Sequence, residues 1–187
     1  MALKSTIYKV QLALADMDRS LYADHALTLA LHPSETEERL MVRLLAFALE
    51  VPRDDADGEL RFSRGLSDAD EPALWRHALD GSLRHWVEVG QPDERRLTRA
   101  SGRADRVTVY AYGASAGLWW TGVQSKLARL RNLDVWMIPP DQSQSLASLA
   151  RRSMQLQCTV QDGHAWLGCD EGNAELTPTP MMRAVPA

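Results

Sequence analysis

The chain has 187 residues, 45% of them hydrophobic and 25% charged, which is the composition of one soluble globular domain. Lys and Arg total 21 against 25 Asp and Glu, so the formal charge of −4 argues against a generally basic nucleic-acid coat but allows a local basic groove. The two cysteines, Cys158 and Cys169, exclude a disulfide framework and a four-thiolate metal site.

No segment of the sequence predicts a membrane anchor or a secretory signal. Residues 107–125 carry no charge and have the length of a membrane span, but their glycines, tyrosines, serines and threonines make them too polar to insert. The N-terminal residues lack a charged head followed by an apolar run. We therefore expect a cytoplasmic protein.

The first third of the chain predicts a β-hairpin followed by a helix. Residues 6–14 and 22–31 are rich in β-branched and apolar side chains, and a turn-like segment separates them. Residues 34–37 (SETE) have the pattern of a capping box, with Ser34 as the cap. The helix is expected to run to about residue 50, and it has a broad apolar face.

The middle of the chain alternates short strands and helices, which predicts an α/β fold. A second hairpin is expected at residues 154–160 and 164–167, and a turn-rich, frayed tail from residue 173. We predict one domain over residues 1–187, with a mixed central β-sheet flanked by helices and antiparallel hairpins at both ends. Strands are expected at residues 60–66, 84–90, 106–112 and 133–138, and helices at residues 71–79, 92–103, 114–131 and 142–151.

Carboxylates are the side chains that remain as candidates for chemistry. The chain has no Gly-rich phosphate loop followed by Lys-Ser/Thr, and no Gly-x-Ser-x-Gly nucleophile turn. Its histidines are not paired at the helical spacing of a zinc site, so each is interpreted as an ordinary surface or capping residue. These are His25, His32, His77, His85 and His164.

The strand around Glu88 is the most informative short segment. Strand alternation places Trp86, Glu88 and Gly90 on one face and the two intervening valines on the other. Burying a carboxylate among apolar residues is costly without a partner or a metal ion, and Gly90 on the same face leaves space that suits a bound ion or a nearby backbone. The alternative is an exposed face on which Glu88 meets solvent or an arginine.

Two further groups of acids are candidates to join Glu88. The first precedes the helix expected at residues 71–79, where acids either favour the helix dipole or face Glu88 across the sheet. The second starts the helix expected from Ser34, in line with its buried stripe, and Glu38 is the deeper of its two acids. The alternative there is an amphipathic boundary position. The two groups are Asp68, Asp70 and Glu71, and Glu35 and Glu38.

Three acids from three elements around one point would form an oxygen-ligand site for Mg²⁺ or Mn²⁺. Such an ion activates water and stabilises developing charge in phosphodiester cleavage. A cation that neutralises the transition state would come from Lys126 or from the group Arg95, Arg96 and Arg99. Gln124 and Lys126 lie about 200° apart on one helix, so both cannot easily serve one site.

Five segments in order carry a family resemblance: residues 1–8 (MALKSTIY), 32–35 (HPSE), 62–72 (FSRGL through DEP), 88–96 (EVGQPDERR) and 119–126 (WW through QSK). Together they resemble the YaeQ family of bacterial proteins over nearly the whole chain. The resemblance implies a fold related to the PD-(D/E)XK nuclease superfamily, in which helices flank a mixed central sheet and a metal site lies at one sheet edge.

On this resemblance, Glu38 matches the acid that the nuclease pattern has on its first helix. Asp70 or Glu71 matches the single acid that the pattern has before its Glu-x-Lys strand. Glu88 matches the acid of the Glu-x-Lys strand. The chain departs from the pattern at Gly90, which stands where that motif has lysine.

Two functional hypotheses of different classes follow. The leading one is a divalent-metal-dependent phosphodiesterase of nuclease type, in which another cation replaces the missing lysine. The alternative, favoured by Gly90, is a catalytically inactive nuclease-fold module that binds nucleic acid or a protein partner. The catalytic candidates are Glu88, Lys126, Arg95 and Gln124, and the candidate ligands for Mg²⁺ or Mn²⁺ are Glu38, Asp70, Glu71 and Glu88.

Overall fold

The computed structural model describes residues 4–64, 66 and 68–186. None of the helices in this part of the chain is long and apolar enough to cross a bilayer. The helices are α1 (Glu37–Glu50), α2 (Glu94–Ser101), α3 (Ala116–Leu127) and α4 (Pro140–Ala147). The strands are β1 (Thr6–Asp16), β2 (Leu21–Leu31), β3 (Leu60–Phe62), β4 (Leu74–His77), β5 (Leu83–Val89), β6 (Arg106–Tyr112), β7 (Leu133–Ile138), β8 (Ser153–Gln161), β9 (His164–Cys169), β10 (Gly172–Leu176) and β11 (Thr179–Met182).

The strands form two mixed β-sheets, where the sequence predicts one central sheet. The five-stranded sheet has the order β10-β9-β8-β1-β2, and the six-stranded sheet has the order β11-β7-β6-β5-β4-β3. β1 runs parallel to β8, and β5, β6 and β7 run parallel to one another. The hairpins predicted at both ends are confirmed, since β1 pairs with β2 and β8 with β9. The second sheet was missed because the parallel β1–β8 pairing joins segments that are far apart in the sequence.

Helix α1 lies in the core between the two sheets. All nine residues from 40 to 48 are buried, and they pack with apolar side chains of both sheets. A helical segment that is buried on every side needs cover on every side, which a single sheet cannot give. Helices α2 and α3 cover the other face of the six-stranded sheet, where a second core forms around Trp86, Leu97 and Trp120.

Three predicted elements differ from the structure. The helix expected at residues 71–79 is instead the strand β4, because pairing with β3 and β5 outweighs the local helix-start pattern. The strand expected at residues 60–66 is limited to β3, and Gly65 lies outside the described residues. The tail expected to be irregular from residue 173 holds most of β10 and all of β11, each at an edge of one sheet.

The start of α1 also differs from the predicted capping box. Thr36 is the N-cap, and its hydroxyl accepts a hydrogen bond from the backbone N–H of Arg39 at 3.1 Å. Glu35 precedes the helix and is buried, where its carboxylate lies 2.7 Å from both Arg39 and Arg43. These ion pairs hold the residues that precede α1 against the first turns of the helix. The deeper acid is therefore Glu35, while Glu38 is half-buried.

The two cysteines are free. Cys158 lies opposite Leu167 in the pairing of β8 with β9. Burial raises the pKa of the Cys158 thiol to about 12. A thiol held in its protonated form is a poor nucleophile, so Cys158 acts as a packing residue of the core.

We expect Glu35→Gln to destabilise the fold by about 3 kcal/mol or more, because it leaves the guanidinium of Arg43 buried without its counter-charge. Arg43 is 3% exposed, and burial already lowers its pKa. The matched control is Glu59→Gln, which breaks an exposed ion pair with Arg61 and should cost less than about 1 kcal/mol. Urea unfolding measures both losses, and equal losses would contradict a central role for the buried pair.

Candidate functional site

Glu88 is the centre of the predicted site, and the structure buries it on the face of β5 that packs against α2. Glu88 as a whole is 4% exposed. Trp86, on the same face, donates its indole N–H to Glu88 Oε1 at 2.7 Å. Arg96 of α2 donates its Nε–H to the same oxygen at 2.6 Å. The buried carboxylate therefore has the partner that burial demands, and this partner is an arginine.

Arg96 also connects Glu88 to the loop before β4. Its terminal nitrogens donate to the backbone carbonyls of Ala69 and Glu71, and its guanidinium lies 5.7 Å from the centre of the Trp86 ring. Burial raises the pKa of Glu88, and the charge and hydrogen bond of Arg96 offset part of that rise. One guanidinium thus holds together the strand, the loop and α2.

The carboxylates of Asp70 and Glu71 in this loop contact groups other than Arg96. Asp70 is 77% exposed and lies 3.5 Å from Arg99. Glu71 accepts a hydrogen bond from the backbone N–H of Arg64 at 2.8 Å. The predicted helix-start role of these acids is wrong, because a strand follows them. The loop approaches Glu88 through its backbone carbonyls, which contact the same guanidinium as Glu88 does.

The structure does not bring Glu38 to Glu88. Glu38 accepts a hydrogen bond from the Ser143 hydroxyl at 2.6 Å, so it faces α4. Helix α1 packs on the face of β5 that carries the two valines, and alternation along the strand turns Glu88 to the opposite face. The expected convergence of the three acids is not found for this reason. Within residues 4–64, 66 and 68–186, no group of three or more His, Cys, Asp or Glu side chains could hold a metal ion.

The predicted cations lie on the layer formed by α2 and α3. Arg95 is exposed on α2. Lys126 lies on the side of α3 toward α2, with its Nζ 2.7 Å from the carboxylate of Glu94. Gln124 is exposed about 200° around the helix from Lys126, so it does not join the other two.

A buried polar cluster on the opposite face of the six-stranded sheet was missed by the sequence reasoning. Glu50, at the end of α1, accepts hydrogen bonds from the Tyr110 hydroxyl at 2.6 Å and from Arg106 at 3.2 Å. His85 Nε2 lies 2.8 Å from the Thr108 hydroxyl and 3.9 Å from the Glu50 carboxylate. The expectation that every histidine is a surface or capping residue is wrong for His85, which is 5% exposed.

The environment of His85 keeps its ring neutral. Burial lowers the pKa of His85 to about 4, although the charge of Glu50 acts in the other direction. Burial also raises the pKa of Tyr110 well above its ordinary value. Alternation along β5 was the available signal, since it places His85 on the face opposite Glu88, toward α1.

A family model for the YaeQ protein matches residues 1–178 of the chain. The chain belongs to the YaeQ family. It is 46% identical to "Uncharacterized protein YaeQ" of Salmonella typhi. The 180 aligned residues cover 96% of this chain and 97% of that relative. It is 43% identical to the YaeQ protein of Escherichia coli strain K12, with the same coverage of both chains.

Two crystal structures of YaeQ proteins are similar to this one along nearly the whole chain. The structure from Xanthomonas axonopodis pv. citri gives a TM-score of 0.89 at 43% identity, covering 97% of this chain and 99% of that one. The structure from Pseudomonas syringae gives a TM-score of 0.89 at 40% identity, with coverage of 96% and 97%. The predicted family and the mixed α/β architecture are confirmed, and the relation to PD-(D/E)XK nucleases stays a prediction.

We expect acid to destabilise the protein through His85. The pKa of His85 is about 4 in the fold and about 6.5 in an unfolded chain, so between these values the unfolded state binds more protons. This contribution to stability is intact above pH 6.5, is lost as the pH falls toward 4, and amounts to about 3 kcal/mol at most.

The measurement is urea unfolding of wild type and His85→Gln across this pH range. Gln can keep the hydrogen bond to Thr108 and does not titrate. The stability difference between the two proteins should shift in favour of the variant as the pH falls. If the unfolding free energies of the two proteins change in parallel with pH, His85 does not resist protonation.

Proposed function

We propose that this YaeQ protein binds the phosphate backbone of nucleic acid through the α2–α3 layer, without a catalytic metal. The observation that carries the proposal is the distribution of charge. Residues 93–131 contain eight Lys or Arg and three Asp or Glu. Without Arg96, which is paired with Glu88, and Arg106, which lies on the opposite face of the sheet, the balance is still +3 in a chain whose overall balance is −4. Clustered cations of this kind provide the electrostatic attraction on which backbone binding depends.

The packing of α2 explains why its arginines face outward. Leu97 and Ala100 are buried against the six-stranded sheet, so Arg95 and Arg99 lie on the opposite side of the helix. Trp120 and Leu127 anchor α3 beside it. The exposed cations of these helices and of the segments that follow them form what we call the α2–α3 basic face: Arg95, Arg99, Arg103, Lys126, Arg129 and Arg131.

Several guanidinium groups of the α2–α3 basic face are available to a ligand. Within the described part of the chain, Arg95, Arg103 and Arg129 have no ion pair and no side-chain hydrogen bond, and Arg103 lies over the Trp86 ring at 5.5 Å. A guanidinium can donate two parallel hydrogen bonds to one phosphate, and such contacts position a protein on a nucleic acid without reading its sequence. Binding that depends little on sequence is therefore expected.

The arrangement around Glu88 favours binding over hydrolysis. Glu88 lies beneath this layer, and its Oε1 is occupied by Arg96 and Trp86 at 2.6 and 2.7 Å. A carboxylate held by an arginine is compensated already and does not need a metal ion to remain buried. Arg96 is therefore the cation that balances Glu88 in this proposal.

The test is fluorescence anisotropy with labelled DNA and RNA, titrated over roughly 50 to 200 mM salt. We expect binding that weakens steeply with salt. The variant Arg95→Gln/Arg103→Gln/Arg129→Gln should bind at least about tenfold more weakly, and its salt slope should be smaller by up to about 3, because each lost phosphate contact removes close to one unit.

The matched control is Arg61→Gln/Arg151→Gln/Arg152→Gln, which changes the net charge equally at exposed positions outside this layer. This control should retain most of the wild-type affinity. Equal weakening in both triple variants would show an unspecific charge effect, and absence of binding at the lowest salt would overturn the proposal.

The second candidate function is the predicted metal-dependent phosphodiesterase. It is favoured by the position of Glu88, a buried carboxylate beside the loop that carries Asp70 and Glu71, with Arg96 as the group that Mg²⁺ or Mn²⁺ would displace. Mn²⁺ titrated calorimetrically into wild type and Glu88→Gln decides between the two. We expect no saturable heat from either protein, whereas wild-type heat that is lost in the variant would establish the metal site.

A further inference from the structure

A cavity of about 640 Å³ opens between the two sheets at the C-terminal end of α1. It lies on the α1 side of the six-stranded sheet, so the sheet separates it from the α2–α3 basic face. Its volume is in the range of small-molecule sites. We call it the arginine cleft, because its walls include five arginines from separate parts of the chain: Arg19, Arg53, Arg76, Arg84 and Arg106.

Two buried N–H groups in the walls of the arginine cleft have no acceptor. They are Nε of Arg76 on β4 and Nε1 of Trp136 on β7, and neither has a hydrogen-bond partner among the described residues. Buried donors are nearly always paired in folded proteins, and an unpaired one costs roughly 1 to 3 kcal/mol. Two such donors in one cavity indicate that an acceptor-bearing molecule completes it.

The carboxylates of the cleft are occupied by other groups. Asp16 is paired with Arg19 at 2.6 Å, and Glu50 accepts the hydroxyl of Tyr110 at 2.6 Å. Asp18 accepts the backbone N–H groups of the β8–β9 turn at 2.7 and 2.9 Å. Glu50 is also paired with Arg106 at 3.2 Å. The acids are therefore held by the protein itself, and they leave Arg53 and Arg76 without a carboxylate partner.

The arginines of the cleft differ in how far they are compensated. Arg84 lies 2.9 Å from Asp105, and Arg106 lies 3.0 Å from Asp134. Arg53 donates to the backbone carbonyl of Arg19 and has no carboxylate partner in the described chain. The side chain of Arg76 has neither an ion pair nor a hydrogen bond there. Arg84 also lies 3.1 Å from Asp57 and Arg106 lies 3.2 Å from Glu50, so the positive charges of the cleft that have no carboxylate partner in the described chain are those of Arg53 and Arg76.

The geometry points to a second anion site: the arginine cleft binds a phosphate-bearing small molecule, with Arg76 as the principal phosphate ligand and the Trp136 indole N–H donating to a further acceptor. A phosphate group matches the donors of Arg because it accepts several charge-assisted hydrogen bonds at once. This site is independent of the proposed nucleic-acid binding, since different residues on the opposite face of the sheet form it.

The experiment is calorimetric titration of the full chain with inorganic phosphate and with pyrophosphate, against chloride at equal ionic strength. Wild type should bind a phosphate probe saturably, and Arg76→Met should weaken that binding at least tenfold. The matched control, Arg61→Met, removes an exposed arginine from the neighbouring strand β3 and should leave binding unchanged. Loss of binding in both variants, or in neither, would overturn the assignment.

A second measurement follows the side-chain N–H resonances of the wild-type protein by NMR. In ¹⁵N-labelled protein, the phosphate probe should shift the side-chain Nε–H resonance of Arg76, whereas that of Arg61 on β3 should stay in place. The Arg95→Gln/Arg103→Gln/Arg129→Gln variant should bind the probe as wild type does. Binding that disappears in this variant would place the anion on the α2–α3 basic face, and an unmoved Arg76 resonance at saturation would exclude the cleft.

Discussion

The burial of α1 on all sides is the constraint on which the rest of the structure depends. Residues 40–48 have no solvent-facing side, so the helix is stable only where apolar surfaces enclose it, and the two sheets and α4 provide them. The same burial places Arg43 in the core, where Glu35 compensates it at 2.7 Å. The layered arrangement and the entry into α1 therefore have one physical origin.

This arrangement gives the six-stranded sheet two different faces, and β5 serves both. His85 belongs to the polar cluster on the α1 side, while Glu88 is bound by Arg96 on the α2 side. On both faces the buried acids have partners within the chain, whereas Arg76 on one face and Arg95 on the other have none among the described residues. Uncompensated cations beside compensated acids favour anionic ligands over metal ions.

Much of the fold could be predicted because its signals are local. The strands expected at residues 106–112 and 133–138 match β6 and β7, and the hairpin expected at residues 154–160 and 164–167 matches β8 and β9. The strand β4 was missed because the residues around Pro72 favour a helix locally, and the second sheet was missed because it depends on long-range pairing. Such pairings leave no short-range pattern.

The candidate site could be predicted only in part for a related reason. Alternation along the strand and the cost of burying a carboxylate predicted that Glu88 needs a partner if it is buried. In the structure it is buried and its partner is Arg96, while the metal ion stays a prediction. Spacing along the chain could not show that Arg96 is that cation, nor that Glu38 lies on the other side of the sheet. Those facts depend on how separate elements pack, which the periodicity of each element does not determine.

The central claim is that arginines, and not clustered acids, form the ligand-binding groups of this protein. Anomalous diffraction from crystals of the full chain, soaked separately in manganese chloride and in tungstate as a phosphate analogue, tests it most directly. The account predicts tungstate beside the guanidinium groups of the α2–α3 basic face or the arginine cleft, and no manganese at Glu88. Manganese bound by Glu88 and Asp70 or Glu71, with Arg96 displaced, would contradict it.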